Sequence, residues 1–229
     1  MHRMLAHSAS LFLPALIVLL TALSALAQAE ETPNLPPAGF TALFDGKTLK
    51  GWRVLGGKQD AWAVDDKAGT FHTTKGGGGW LMSEKEYGNF ELRLQFKVPA
   101  GANSGVALRA PMKGDPAYQG MEIQILDDTA PIYKGIKDWQ HTGSIYGVVP
   151  SSSQPNKPLG QWNSYRIVCK GSRVTVELNG QVIVDANLDD HKAKHAKSHP
   201  GILRERGHIG VQDHGGKIEF RNVFIKELD

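Results

Sequence analysis

Cysteine is almost absent: the 229-residue chain has one, Cys169. A lone thiol excludes an internal disulfide framework, so packing must supply the stability. Cys169 ends the apolar run Tyr165-Arg-Ile-Val-Cys. That context fits a buried core thiol, whereas a reactive one needs an exposed, electropositive setting. No Cys stands near the end of the amino-terminal apolar run, which argues against a bacterial lipoprotein anchor. Net charge is small, +3, with no sustained basic stripe, so a nucleic-acid partner is not expected. Long amphipathic helices and internal repeats are also missing. The glycine run at 76–79 before Trp80 lacks the Lys-Ser/Thr of a phosphate loop and reads as a flexible turn.

One long apolar run is present. Residues 11–26 (LFLPALIVLLTALSAL) follow a weakly positive start at His2, Arg3 and His7, and Ala27-Gln28-Ala29 comes next. That order predicts a signal peptide over residues 1–29, cleaved after Ala29. The run is short for a membrane span and Pro14 interrupts it, so no stable span is expected after its removal. The expected setting is secreted or periplasmic. Removing Arg3 takes the charge from +3 to +2. Residues 30–38 read as a Pro-rich linker, and residues 39–229 have the length of one all-β domain.

Turn signals recur at short intervals, among them Asp45-Gly46, Gly56-Gly57, Gly171-Ser172 and Gly215-Gly216. Short apolar or alternating runs lie between them, which predicts a sandwich of two antiparallel sheets. From Phe90 to Val98 the even positions are apolar and the odd ones polar. Asn179-Gly180 separates two such runs and predicts a tight hairpin, because both residues tolerate positive φ. Trp52 and Trp62 read as core or edge aromatics.

Three strands carry polar groups with mixed chemistry. Met121, Ile123 and Ile125 face the core, and Glu122 and Gln124 face away, with Asp127 and Asp128 at the strand end. Val106 and Leu108 share one face, Ala107 and Arg109 the other. Ile209 and Val211 point in, and His208, Gln212 and His214 point out. Gathered on one sheet face, these carboxyl, amide, guanidinium and imidazole groups would bind vicinal hydroxyls. Trp80, Trp139, Tyr146 and Trp162 are rings able to stack on a sugar. One wet face is also normal for an antiparallel sheet, so spacing alone does not separate a site from a solvated surface.

The chain resembles the 3-keto-disaccharide hydrolase domain family. The matching residues are 39–52 (GFTALFDGKTLKGW), 87–92 (YGNFEL), 103–106 (NSGV) with Arg109, and 120–127 (GMEIQILD). Further along they are 143–147 (GSIYG), 160–163 (GQWN), 178–180 (LNG), 210–215 (GVQDHG) and 220–222 (FRN). The resemblance implies a concanavalin-like jelly roll and cleavage of glycosides already oxidised at C3.

A 3-keto group acidifies the hydrogen on C2, so a base can remove it and the group on C1 can leave by elimination. Glu122 and His214 are the acid and base candidates, with their roles left open. Arg109, or a divalent cation such as Mn²⁺ or Ca²⁺, would hold the enolate oxygen. Gln124 and Gln212 would position hydroxyls, and Tyr146 and Trp162 would contact the ring. Asp127 would orient a catalytic group or join Glu122 and His214 around the cation. His191, His195 and His199 are spaced for one helix face, but Lys192, Lys194 and Lys197 interleave, which favours a solvated basic loop or a rim contact. Residues 151–158 form a polar loop that would overhang the site. The alternative is a lectin-like module that binds sugar without chemistry. No cofactor is required by any motif, and nothing indicates an oligomeric state.

Overall fold

The structure is a computed structural model that describes residues 33–74 and 76–229. The expected signal peptide lies outside the described residues. Two antiparallel sheets face each other. The smaller contains β2 (Trp52–Leu55), β5 (Trp80–Tyr87), β7 (Asn103–Ala110), β8 (Met121–Leu126) and β12 (Gly207–Gln212), in the order β2-β5-β12-β7-β8. The larger contains β3 (Trp62–Asp65), β4 (Thr70–Thr73), β6 (Phe90–Lys97), β9 (Trp162–Lys170), β10 (Arg173–Leu178), β11 (Gln181–Asn187) and β13 (Glu219–Glu227). Its order is β11-β10-β9-β6-β13-β4-β3, and β1 (Thr41–Ala42) adds to β13. The expected all-β sandwich is what forms.

Alternation builds the core as the sequence implies. Phe90, Leu92, Leu94 and Phe96 point inward from β6 and are fully buried, against Met121, Ile123 and Ile125 from β8. Phe71 joins the sheets' aromatic layer, with its ring centroid 5.3 Å from Phe220 and 4.9 Å from Phe44. Burying each such side chain stabilises the fold by about 1.5–3 kcal/mol. Asn179 and Gly180 both have positive φ, +51° and +85°, and close the β10–β11 hairpin. Cys169 is wholly buried, and burial pushes its thiol up to about 12. Between the layers, the Tyr165 hydroxyl on β9 donates to the Gln124 carbonyl on β8 at 2.7 Å. That bond fixes the edge strand that carries the polar face.

Helix is scarce. Among the described residues the α-helices are α1 (Pro116–Gln119) and α2 (Asp189–His195). Among the described residues no helix is long and apolar enough to cross a membrane.

Candidate active site

The outer face of the smaller sheet holds the site. β8 is its edge strand, and residues 143–149 lie along its free side. The Gln124 amide donates to Ser144 O at 3.1 Å, and the Tyr146 amide donates to Glu122 O at 2.9 Å. This backbone pairing sets Tyr146 beside Glu122. A cavity of about 150 Å³ opens there, lined by Glu122, Gln124, Tyr146, Gln212 and His214. A space of that size accepts a single six-membered ring. Five of the eight residues expected at the site therefore meet in one place.

Three residues that alternation did not single out also line it. Asp115 caps α1, its carboxylate accepting the Ala117 amide at 3.0 Å, with Pro116 in the first helical position. Tyr118 stands edge-on to Tyr146, with centroids 6.3 Å apart. Asn103, at the start of β7, places its side-chain nitrogen 3.2 Å from His214 Nδ1. The Asp-Pro pair is a legible helix start, but nothing local shows that it borders a sheet face.

Glu122 is the unusual group. Its side chain is 3% exposed, and Oε1 has no protein hydrogen-bond partner. Burial, aided by the Asp115 charge, raises its carboxyl from the ordinary 4.5 to about 8. It is therefore mostly neutral at neutral pH. Gln124 Oε1 and Asn103 Oδ1 are likewise buried without partners. A buried unpaired polar atom costs about 1–3 kcal/mol, and all three line the same cavity. Hydroxyl groups of a bound ring would satisfy the Glu122 and Gln124 oxygens.

Gly105 makes this arrangement possible. A Cβ there would lie 1.9 Å from Glu122 Oε1. Gly105→Ala is expected to turn the carboxyl aside and lower kcat/KM by about a hundredfold, because misplacing a reacting group by about 1 Å has that cost. Steady-state kinetics beside an unchanged far-ultraviolet circular dichroism spectrum checks this.

Three expected site residues lie elsewhere. Arg109 is 2% exposed and turns into the protein. Its guanidinium donates to Gly88 O at 2.9 Å, Gly171 O at 2.8 Å, Arg204 O at 3.3 Å and Asn89 Oδ1 at 3.4 Å. The cause is local: Arg109 has φ +50°, and the β7–β12 register shifts beside it, so alternation breaks at that residue. It ties three loops together and does not reach the cavity. Trp162 belongs to the larger sheet and packs under Arg221 and Lys97, 4.3 Å and 4.9 Å from its ring. Asp127 accepts the Gly101 amide at 2.7 Å and the Thr129 amide and hydroxyl at 3.0 and 2.6 Å. These bonds outweigh burial and lower its pKa.

Asp127 thus organises a turn, and the Glu122–His214–Asp127 cation set is not assembled. Among the described residues no group of three or more His, Cys, Asp or Glu side chains is placed to hold a metal. The loop 151–158 borders a different cavity, beside Asp127 and Asp128, and does not overhang the site. His199, expected in a solvated loop, is 8% exposed and packs against Tyr118 with centroids 5.0 Å apart.

Residues 39–226 match the 3-keto-alpha-glucoside-1,2-lyase-like domain. The chain belongs to that family. A 3-keto-disaccharide hydrolase of Bacteroides thetaiotaomicron is 30% identical, the match covering 83% of this chain and 79% of the relative. A crystal structure from Parabacteroides distasonis, assigned as a glycosyl hydrolase, is 30% identical with a TM-score of 0.74. It covers 86% of this chain and 100% of that one. The carbohydrate-binding module CBM66 of Bacillus subtilis is 12% identical with a TM-score of 0.53, covering 77% and 96%. That likeness concerns the fold alone. As a member of the 3-keto-glucoside lyase-like family, the chain is an enzyme of carbohydrate cleavage.

Proposed function

We propose that the protein cleaves 3-keto-glucosides in the cavity beside Glu122, with elimination of the C1 substituent followed by addition of water. The observation that carries this reading is Glu122 itself: a buried, mostly neutral carboxyl with an unpartnered oxygen in a ring-sized cavity. A module that only binds sugar needs no such acid. His214, in the lining of the same cavity, is the base for the C2 hydrogen. With the Asn103 amide turned so that Oδ1 accepts Nδ1–H, Nε2 is free to take a proton.

The steps balance. Nε2 takes the C2 proton, and the electron pair forms an enolate toward the C3 carbonyl. The C1–O bond breaks as the C1–C2 double bond forms. Glu122 gives its proton to the departing oxygen. Water then adds at C1: its hydroxyl stays on C1, its other proton returns to Glu122, and the proton held by His214 goes back to C2. Gln124, Gln212 and Asn103 hold the ring hydroxyls, and Tyr146 and Tyr118 wall the ring. The amino-terminal pattern supports export as the setting.

The direct test is to incubate the purified protein with a 3-keto-glucoside and with its unoxidised parent. Turnover of the keto-sugar alone is expected. Binding of the parent with no turnover of the keto-sugar would sink the reading.

A further inference from the structure

The proposed steps leave one charge without a partner. Removing the C2 proton puts negative charge on the C3 oxygen, and such an oxyanion needs a donor already aimed at it. Arg109, expected in that role, is bound to loop carbonyls instead. Among the described residues no Lys or Arg lines the Glu122 cavity. The donor must also lie beside the base, because C2 and C3 are neighbours in the ring.

Asn103 has that place. Its backbone amide donates to Gly215 O at 3.3 Å, and the Ser104 hydroxyl donates to Gln212 O at 2.7 Å. The start of β7 thus clasps the segment 212–215 that carries His214, and the Asn103 side chain reaches His214 Nδ1 at 3.2 Å. The next residue on the same face of β7 is Gly105, over which the Glu122 carboxyl lies. Alternate residues of a strand are about 7 Å apart. Asn103 and the Glu122 carboxyl are therefore offset along β7, as the C3 and C1 ends of one ring require. The tyrosines able to donate stand elsewhere. The Tyr146 amide is paired with Glu122 O, Tyr118 stands against Tyr146, and the Tyr133 hydroxyl donates to Gly101 O at 3.3 Å.

The Asn103 amide has two corners, and hydrogen bonds decide which is oxygen and which is nitrogen. One corner meets His214, and the other is buried in the cavity lining with no protein partner. With Oδ1 turned to accept Nδ1–H of His214, the buried corner is the Nδ2 amino group. It is a donor without an acceptor, next to the base.

We propose that Asn103 is a catalytic residue with two tasks: Oδ1 fixes the His214 tautomer, and Nδ2–H donates to the C3 oxygen as the enolate forms. This rests on the proposed removal of the C2 proton by His214. As that proton moves to Nε2, the C2–H electron pair becomes the C2–C3 double bond. The C3 carbonyl pair moves onto oxygen, and the bond from Nδ2–H strengthens with the charge. Of the ring's oxygens, Asn103 takes the one on C3. A single amide thus ties the position of the base to the position of the charge that the base creates.

The test uses 3-keto-1,5-anhydroglucitol, a ring with no group on C1 to leave. In heavy water the wild type is expected to exchange its C2 hydrogen for deuterium, followed by proton NMR, because exchange needs only the base and the enolate donor. Aspartate can orient a histidine as asparagine does, but a carboxylate cannot donate. Asn103→Asp and the uncharged Asn103→Ala are both expected to slow exchange by about 10²–10³-fold, the worth of one oxyanion donor. The C3 carbonyl stretch of the bound ketone, read by infrared with a carbon-13 label, should lie higher in both variants than in wild type. Exchange by Asn103→Asp within about tenfold of wild type, or the same stretch in wild type and Asn103→Ala, overturns the inference. Circular dichroism identifies a variant that has not folded, and the other then carries the comparison. A wild-type stretch that rises on binding toward its value in apolar solvent overturns the inference without either variant. A wild type that cleaves a 3-keto-glucoside but leaves C2 of the analogue unexchanged overturns the enolate donor while cleavage stands. A wild type inert toward both compounds overturns the proposed function, and this inference with it.

Discussion

Glu122→Gln is expected to lower kcat/KM for a 3-keto-disaccharide by about 10²–10⁴-fold, the usual worth of a general acid. The loss should depend on the leaving group. A sugar alkoxide needs the proton that Glu122 supplies, whereas 4-nitrophenolate leaves without help, so the same variant should lose less than about tenfold on a 4-nitrophenyl 3-keto-glucoside. The wild-type pH profile carries the same information. Glu122 works in its protonated form and titrates at about 8, so the rate should fall as pH rises through that value. In the Gln variant that limb should vanish. If the rate instead climbs through pH 8, Glu122 is the base and the roles given above are reversed.

The same substitution should make the protein more stable in alkali. Glu122 holds its proton more tightly folded than unfolded, with a pKa of about 8 against 4.5. Its favourable contribution is complete below pH 4.5 and disappears as pH rises through 8. Above that the folded state carries a buried carboxylate, a disadvantage of about 3–5 kcal/mol relative to a group that never ionises. At pH 9 Glu122→Gln should therefore melt on the order of ten degrees above wild type. At pH 4 the two should melt together. Thermal unfolding followed by circular dichroism at both values checks this, and equal melting temperatures at pH 9 would place the carboxyl in a wetter setting. Opposite effects on rate and stability are expected of a group held for chemistry at the expense of the fold.

Much of the sandwich is legible because strands with one buried face alternate. β6 and β8 obey that rule residue by residue, so Glu122 and Gln124 were assignable to a polar face before any relative was considered. The rule fails where the backbone leaves it. Arg109 has a left-handed φ that no arginine signals in advance, and its side chain turns inward. The rule also identifies a face without saying which sheet bears it: Trp162 is outward-facing on the wrong layer. Asp115 and Tyr118 reach the cavity from the connection between β7 and β8, where no period applies. Of the glycines at 76–79, read as a flexible turn, Gly79 also has a steric reason, since a Cβ there would lie 2.5 Å from Gly56 O of the facing loop.

The order of the larger sheet bears on how the molecule comes to be made. β13, the final strand, lies in the interior of that sheet, between β6 on one side and β4 and β1 on the other. Among the strands described it comes last in sequence. Without it the layer falls into β11-β10-β9-β6, β4-β3 and a lone β1, and its pairings span most of the chain. Contacts so distant in sequence form slowly. The layer therefore closes only when segments far apart in sequence have met. Loss of β13 would remove the middle of a layer, where loss of an edge strand would only shorten it.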